Sequence, residues 1–382
     1  MTPLQDKATG CVAGAAVGDA LGGATEGWTP EQIVQRYGGQ VEGVVPPYNT
    51  DWRNARPIAP YHKGDGHITD DTLMTHALIR VYERAGGHLD AYSAADHLVP
   101  ELMGARVWIP ELEAEALPLQ RIFLAEKWIV ARLHYGHVDP REAGTGNIVN
   151  CGAAMYMAPV GIVNAADPDA AYAEAVDLAG AHQSSYGREA AGVMAAAVAE
   201  AMRPGATVDS VVATTLRLAK DGTRAAIDAV CSAARGLGHW DGSFEVLRAA
   251  MRPFDTVADT YRDQGLGARR PSRTHSIEEL PLALAFLVIA KGDYRETVLG
   301  GVNYGRDADS IASMGGAVAG ALGGLAAVPG EWVEQVGTAS RTDLVAPGLV
   351  IAELAERIHR QDLARRRAHE DAFAALSEGE RA

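Results

Sequence analysis

The sequence predicts an all-α protein built as a single compact domain. Three observations carry that reading. Apolar residues recur at helical spacing through most of the chain, strand signals are few and short, and the residues available for the interior are small. Of 382 residues, 47% are hydrophobic, but much of that fraction is alanine; glycine numbers 42 and aromatics reach only 6%. Helices faced with Ala and Gly approach one another closely, which favours a bundle.

The elements follow in order. Residues 9–21 carry small apolar side chains at close helical spacing and end at the turn-prone Gly22-Gly23. Residues 38–66 are polar and rich in Gly and Pro, too long for a simple connection, and hold Trp52, Tyr61, His62, Arg53, Arg56 and Lys63. Loops of this length are usually functional or disordered, and this content suggests a binding lid. Residues 73–84 and 119–134 read as amphipathic helices, and 168–182, 187–202 and 207–219 as alanine-rich ones. Residues 280–291 read as a buried helix. Residues 310–325 alternate Gly and Ala so densely that they belong at the centre of the bundle. The spacings Gly14-x-x-x-Gly18 and Gly316-x-x-x-Gly320 mark helix packing rather than a nucleotide fingerprint. From about residue 351 a charged helix follows, so residues 1–350 are expected to form the working domain. Residues 351–382 would be a helix packed on it or at a subunit contact.

The net charge of −15 argues against binding a nucleic-acid backbone or an anionic membrane surface. An acidic protein can still hold an anionic ligand if a metal supplies local positive charge. Cys11, Cys151 and Cys231 are odd in number and far apart, so no disulfide framework is suggested. The first residues lack the pattern of a signal peptide, and no long uncharged apolar stretch reads as membrane-spanning. The expectation is a soluble protein of a reducing, cytoplasmic compartment.

Two short acidic clusters lie at opposite ends of the chain. The first is Thr69-Asp70-Asp71-Thr72; the second is Asp307-Ala308-Asp309-Ser310. Asp and Ser also suit helix caps and first turns, where a carboxylate opposes the positive end of the helix dipole. Each cluster, however, sets two carboxylates and a hydroxyl ahead of a small or apolar helix. That is a ligand set for Mg²⁺ or Mn²⁺. Buried neighbouring carboxylates repel unless a cation neutralises them, and convergence of both clusters would make two metal ions natural. Asp19 reads as a structural hydrogen-bonding residue inside the first helix. Glu26 is either a turn carboxylate before Trp28 or a group near the metals, and His182 is either a capped core residue or a substrate contact.

In order along residues 10 to about 325, five segments carry a resemblance. They are GCVAGAAVGDALGGATE, HITDDTLM, CGAAMYMAPVGIV, HQSSYGREAAGVMAAAVA and GRDADSIASMGGAVAGALGG. Together they resemble the ADP-ribosylglycohydrolase family, in its dinitrogenase-reductase-activating type. The resemblance implies an all-helical domain with two Mg²⁺ (or Mn²⁺) ions held by Thr69, Asp70, Asp71, Asp307, Asp309 and Ser310. Ser310 stands where the family has threonine and keeps the hydroxyl. Glu26, or Asp70 or Asp309 from the metal set, would serve catalysis by taking a proton. Asn150, Cys151 and Gly152 would belong to a loop holding the substrate's phosphates or distal ribose, with Tyr156 and His182 beside it. The implied reaction is hydrolysis of a ribosyl glycosidic bond, with an ADP-ribosylated protein or a ribosylated small molecule as substrate. Two other readings are open: an N-ribosidase acting on a free nucleoside-like molecule, and a non-catalytic binding protein on the same fold. The chain departs from the family where Tyr156 follows Met155 in place of an arginine, and where the stretch 275–279 lacks a tyrosine. The 38–66 loop is also longer. These departures imply retained metal chemistry and an altered leaving-group pocket.

Overall fold

The N-terminal helix, Pro3–Gly22, starts on a Thr2 capping box with proline in its first turn. It is buried from Ala8 onward because its glycines lie against another backbone. In the computed structural model, which describes residues 1–52, 62–254 and 276–377, that backbone is the helix Ala308–Gly323. The readings placed on Arg53, Arg56, Tyr61 and His275 lie outside the described residues.

The pairing has a simple register. A Cβ added to Gly10 would fall 2.5 Å from the Gly320 carbonyl oxygen, and one on Gly14 2.6 Å from that of Gly316. On Gly18 it would fall 2.2 Å from the Ala312 oxygen, and on Gly22 2.4 Å from that of Ala308. Partners fall by four as glycines rise by four, so the helices run antiparallel in contact at every turn. Only Gly tolerates that approach. Antiparallel pairing sets the C-terminal turns of the first helix beside the N-terminal turn of the second. Asp19 is thereby brought to Asp309 across nearly the whole chain length.

Helices Ser276–Ile289, Tyr294–Tyr304 and Ser185–Ala201 pack around the 308–323 helix. One continuous core results, and the protein is a single all-α domain. Among the described residues the only strands are Val107–Ile109 and Ala114–Ala116, paired antiparallel. Their connection carries the buried Glu111.

Residues 119–134 depart from the continuous helix expected of them. A short turn, Pro118–Arg121, is followed by extended Ile122, then a helix Leu124–Val130 and a wider turn to Tyr135. The break has a purpose that periodicity does not show: it frees the Phe123 N–H to donate to Asp70 Oδ2 at 2.9 Å. The 168–179 helix ends at Gly180. A helix Asp221–Ala234 adds to those expected.

The final helix runs Ala346–Ser377, so residue 351 falls inside it. Its first half is buried through Ile358 against the N-terminal helix, and Gly348 lies against the Thr9 backbone. The second half is largely exposed. His88 ties it down, with Nδ1 on Glu174 at 2.6 Å and Nε2 on Asp362 at 2.9 Å.

Candidate active site

The helix Asp70–Ala85 begins against Asp19. Thr69 N and Thr72 N donate to Asp19 Oδ2 at 3.0 and 3.1 Å, and both threonine hydroxyls donate to the same carboxylate. Asp19 therefore ties the first helix to the N-terminus of this one, as a structural hydrogen bonder would. It also does more. One ligand atom each from Asp19, Asp71 and Asp309 lies within 4.8 Å of the others, and all three residues are buried. Asp71 Oδ1 and Asp309 Oδ1 are buried with no hydrogen-bond partner. Burial, then the charge of Asp309, pushes Asp19 up to about 6. The same two causes push Asp71 well above the carboxylate range. Burial is the largest influence on Asp309 and opposes its ionisation, but the contacts from His62, with hydrogen bonds involving Asp307 and the Ser310 backbone, together outweigh it and hold Asp309 low. Three carboxylates in one dry space thus share a charge that they do not tolerate in full.

The second cluster is delivered by strained backbone. Gly305 and Arg306 have φ of 72° and 57°, a left-handed pair just before Asp307. Arg306 is held there from both sides. Its N–H donates to Trp28 O at 2.9 Å, and its guanidinium reaches Glu278 at 2.8 and 3.0 Å. Tyr304 is buried beside it and donates to Glu278 at 2.8 Å. The backbone contact with Trp28 also fixes Glu26 relative to Asp307. Cys151 Sγ lies 3.2 Å from Asp307 Oδ2 and 3.3 Å from Ser310 Oγ. Burial and the Asp307 charge hold this thiol well above its ordinary range, so it donates. Cys151, Glu279 and Asp307 form a second buried cluster with ligand-atom spacing.

Asp70 faces away from Asp71. Its Oδ1 accepts from Arg121 Nη1 at 2.9 Å and its Oδ2 from Phe123 N. Arg121 is buried; its Nε lies 3.1 Å from Glu111, and Nη2 donates to His62 Nδ1 at 2.7 Å. The other face of the His62 ring touches Glu26 and sits 3.2 Å from Asp309 Oδ2. Glu26, His62 and Asp309 thereby form a third group of convergent ligand atoms.

Of the residues assigned to substrate, only Cys151 faces the acidic centre. The Asn150 side chain caps its own turn, accepting from Gly152 N at 3.1 Å and from Gln183 at 2.8 Å. A Cβ on Gly152 would fall 2.2 Å from Glu126 Oε1, so the turn is pressed onto a buried carboxylate. Tyr156 is 1% exposed and its hydroxyl meets His182 Nδ1 at 3.0 Å, with the two rings stacked. His182 Nε2 faces Glu126 at 3.5 Å. The side chains of Asn150, Tyr156 and His182 thus brace the turn from beneath.

Sequence reasoning missed Arg121, Glu111, Glu126 and Glu279. Each sits in a segment that reads as an ordinary amphipathic helix or turn. The one available signal was Arg121, a charge on the apolar side of the 119–134 pattern. His62 was noticed only as part of the long loop.

Carboxylates from the two ends of the chain, with an imidazole and hydroxyls, surround one buried centre in the manner of a hydrolase site. The model of the ADP-ribosylglycohydrolase family matches residues 1–368, and the chain belongs to that family of glycohydrolases. An uncharacterised protein of Archaeoglobus fulgidus is 28% identical, covering 87% of this chain and 92% of its own length. Uncharacterised protein YegU of Escherichia coli is 24% identical over 85% and 89%. ADP-ribosylarginine hydrolase Tri1 of Pseudomonas putida is 27% identical over 88% and 76%. A solved ADP-ribosylglycohydrolase-related protein complex shares the fold at a TM-score of 0.60 and 21% identity, covering 93% of this chain and 100% of that one. No helix among the described residues is long and apolar enough to cross a membrane.

Proposed function

We propose that this chain is a divalent-cation-dependent glycohydrolase that cleaves the bond between ADP-ribose and its leaving group. The observation that carries the reading is the pair of buried oxygens, Asp71 Oδ1 and Asp309 Oδ1, that no hydrogen bond reaches, beside Asp19. Hard anionic oxygens buried together fit Mg²⁺ or Mn²⁺. Asp71, Asp309 and Asp19 would hold the cations, with Thr69, Asp307 and Ser310 at the edges. Asp70 would join only by releasing Arg121. Two ions bound there supply positive charge that orients ribose hydroxyls and favours ionisation of a water.

The chain's own residues account for the rest. Glu26, at the rim beside His62, takes the proton of the attacking water. Departure of the leaving group builds positive charge on the ribose, which the nearby carboxylates favour. The 150–156 turn, pressed onto Glu126, presents its backbone to the distal part of the substrate. The leaving group follows less directly. The Pseudomonas relative's name supports an arginine linkage. Tyr156 is buried beneath the turn and does not select the leaving group. We therefore propose an ADP-ribosyl conjugate without fixing its leaving group, in a reducing, cytoplasmic setting consistent with three unpaired buried cysteines.

A panel of N- and O-linked ADP-ribosyl conjugates and free ribosides, assayed after chelation and again with Mg²⁺ or Mn²⁺, tests this. Cation-dependent turnover of an ADP-ribosyl conjugate is expected. Turnover of free ribosides alone would replace the reading with an N-ribosidase, and binding without turnover would make the protein a non-catalytic module.

A further inference from the structure

Glu26, His62 and Asp309 converge as a metal trio would. Arg121 argues for another role. Arginine has only donors, and its Nη2 meets His62 Nδ1 at 2.7 Å. That nitrogen must be the acceptor, because a hydrogen on Nδ1 would face a hydrogen on Nη2. The Nδ1–H tautomer does not fit. Burial lowers the ring's affinity for a proton, and Asp309 outweighs burial and raises it; yet the imidazolium would also point an Nδ1–H at the guanidinium 2.7 Å away. The ring hydrogen is on Nε2, the nitrogen that faces Glu26 and Asp309. A nitrogen bearing hydrogen has no lone pair for a cation. Arg121 cannot easily turn away, since Asp70 at 2.9 Å and Glu111 at 3.1 Å hold its other nitrogens in a buried site.

We propose that Arg121 and His62 are a positioning pair for Glu26. Arg121 fixes His62 as an Nε2–H donor, and His62 aims the Glu26 carboxylate at the acidic centre without ligating a cation itself. The pair rests on the proposed function for the use made of Glu26, but its tautomer does not. Glu111 and Asp70 supply the countercharge that keeps the guanidinium in place. The arrangement also gives Asp70 a job unlike that of Asp71: it anchors Arg121.

The test is a long-range proton–nitrogen NMR spectrum of the full chain labelled with ¹⁵N-histidine, recorded with and without Mg²⁺. His62→Gln assigns the signal by its disappearance. The expected pattern is an unprotonated Nδ1 and a protonated Nε2 in both conditions. A protonated Nδ1, whether neutral tautomer or imidazolium, would overturn the proposal whatever the protein hydrolyses. The second arm is kinetic. His62→Ala should lower kcat about 10–100-fold, as loss of an orienting partner does, with KM little changed. His62→Gln, which keeps an N–H on a side chain of similar reach, should recover most of that loss. Equal kcat in wild type and His62→Ala would also overturn the proposal. The function reading is decided separately, by whether any ADP-ribosyl conjugate turns over in wild type.

Discussion

Asp71 and Tyr156 show how differently two residues of one site should respond to substitution. Asp71 sits among carboxylates with one oxygen unpartnered, so its charge opposes folding when no cation is present. Asp71→Asn should raise the stability of the chelated protein, because the amide removes a carboxylate whose burial beside Asp309 disfavours its charge. The same variant should lose the stabilisation that Mg²⁺ gives wild type and should lose activity. Denaturant titration with and without Mg²⁺ checks both halves, and a chelated variant weaker than wild type would contradict the electrostatic account. Tyr156 is a core residue with a partner. Tyr156→Phe should cost only about 1 kcal/mol, the net worth of a hydrogen bond, and leave KM unchanged. A large rise in KM would return Tyr156 to the substrate surface. Both clusters were visible in the sequence because each sets two carboxylates and a hydroxyl together ahead of a small or apolar helix, more than a single cap requires. Asp19 was read as a hydrogen bonder, which it is. Its closeness to Asp309 was invisible because it depends on the register of two helices nearly 300 residues apart in sequence.

That register makes its own prediction at the level of the element. Gly18→Val would drive side-chain atoms into the Ala312 carbonyl, where even a Cβ would lie at 2.2 Å. The two helices cannot part without moving Asp19 from Asp309. The cost should exceed about 3 kcal/mol, beyond ordinary overpacking, because the clash is with backbone. Gly87→Ala, where nothing lies within 4 Å, is the control and should be near neutral. Thermal unfolding of the two variants decides the matter, and equal midpoints would refute the close-packing argument. The small-residue spacing made the contact legible; the antiparallel sense and the partner of each glycine were not, since periodicity carries no information about direction. The 119–134 region shows the opposite limit. Its apolar pattern is helical, but two hydrogen bonds to Asp70 break it, and tertiary contacts override local pattern.

The exposed end of the last helix belongs to the same scale. His88 joins it to Glu174, and the hydrogen bond that His88 donates to Glu174 leads the causes that push His88 up to about 9. A histidine raised above its usual 6.5 contributes stability that is complete below that value and is lost as pH rises through about 9. Proteolysis within residues 359–377, corrected for protease activity, should accelerate in wild type between about pH 8 and about pH 10. His88→Gln should be cut quickly throughout. A wild-type rate that is flat with pH would mean that the strap is not what holds the helix.

For the whole molecule, the acidic centre links folding, cation and pH. Asp19 is raised from 3.8 to about 6 and Asp71 lies higher than its usual value. Between those limits the native chelated protein holds protons that the unfolded chain has released, so its stability from these groups falls as pH rises. A cation reverses the sign by displacing the same protons. Saturating Mg²⁺ should therefore raise Tm little at about pH 4.5 and progressively more toward about pH 7. At 100-fold over Kd the gain is about 2.7 kcal/mol, which for a domain this large is on the order of 2 °C per kcal/mol. Carboxylates elsewhere titrate equally with and without Mg²⁺ and cancel in the difference. Asp309→Ala should abolish the difference while keeping the helical circular dichroism of wild type. A Mg²⁺ shift that is independent of pH, or larger in acid, would separate the cation from Asp19, Asp71 and Asp309. The centre would then be a buried network of shared protons, holding together two ends of the chain that sequence distance keeps apart.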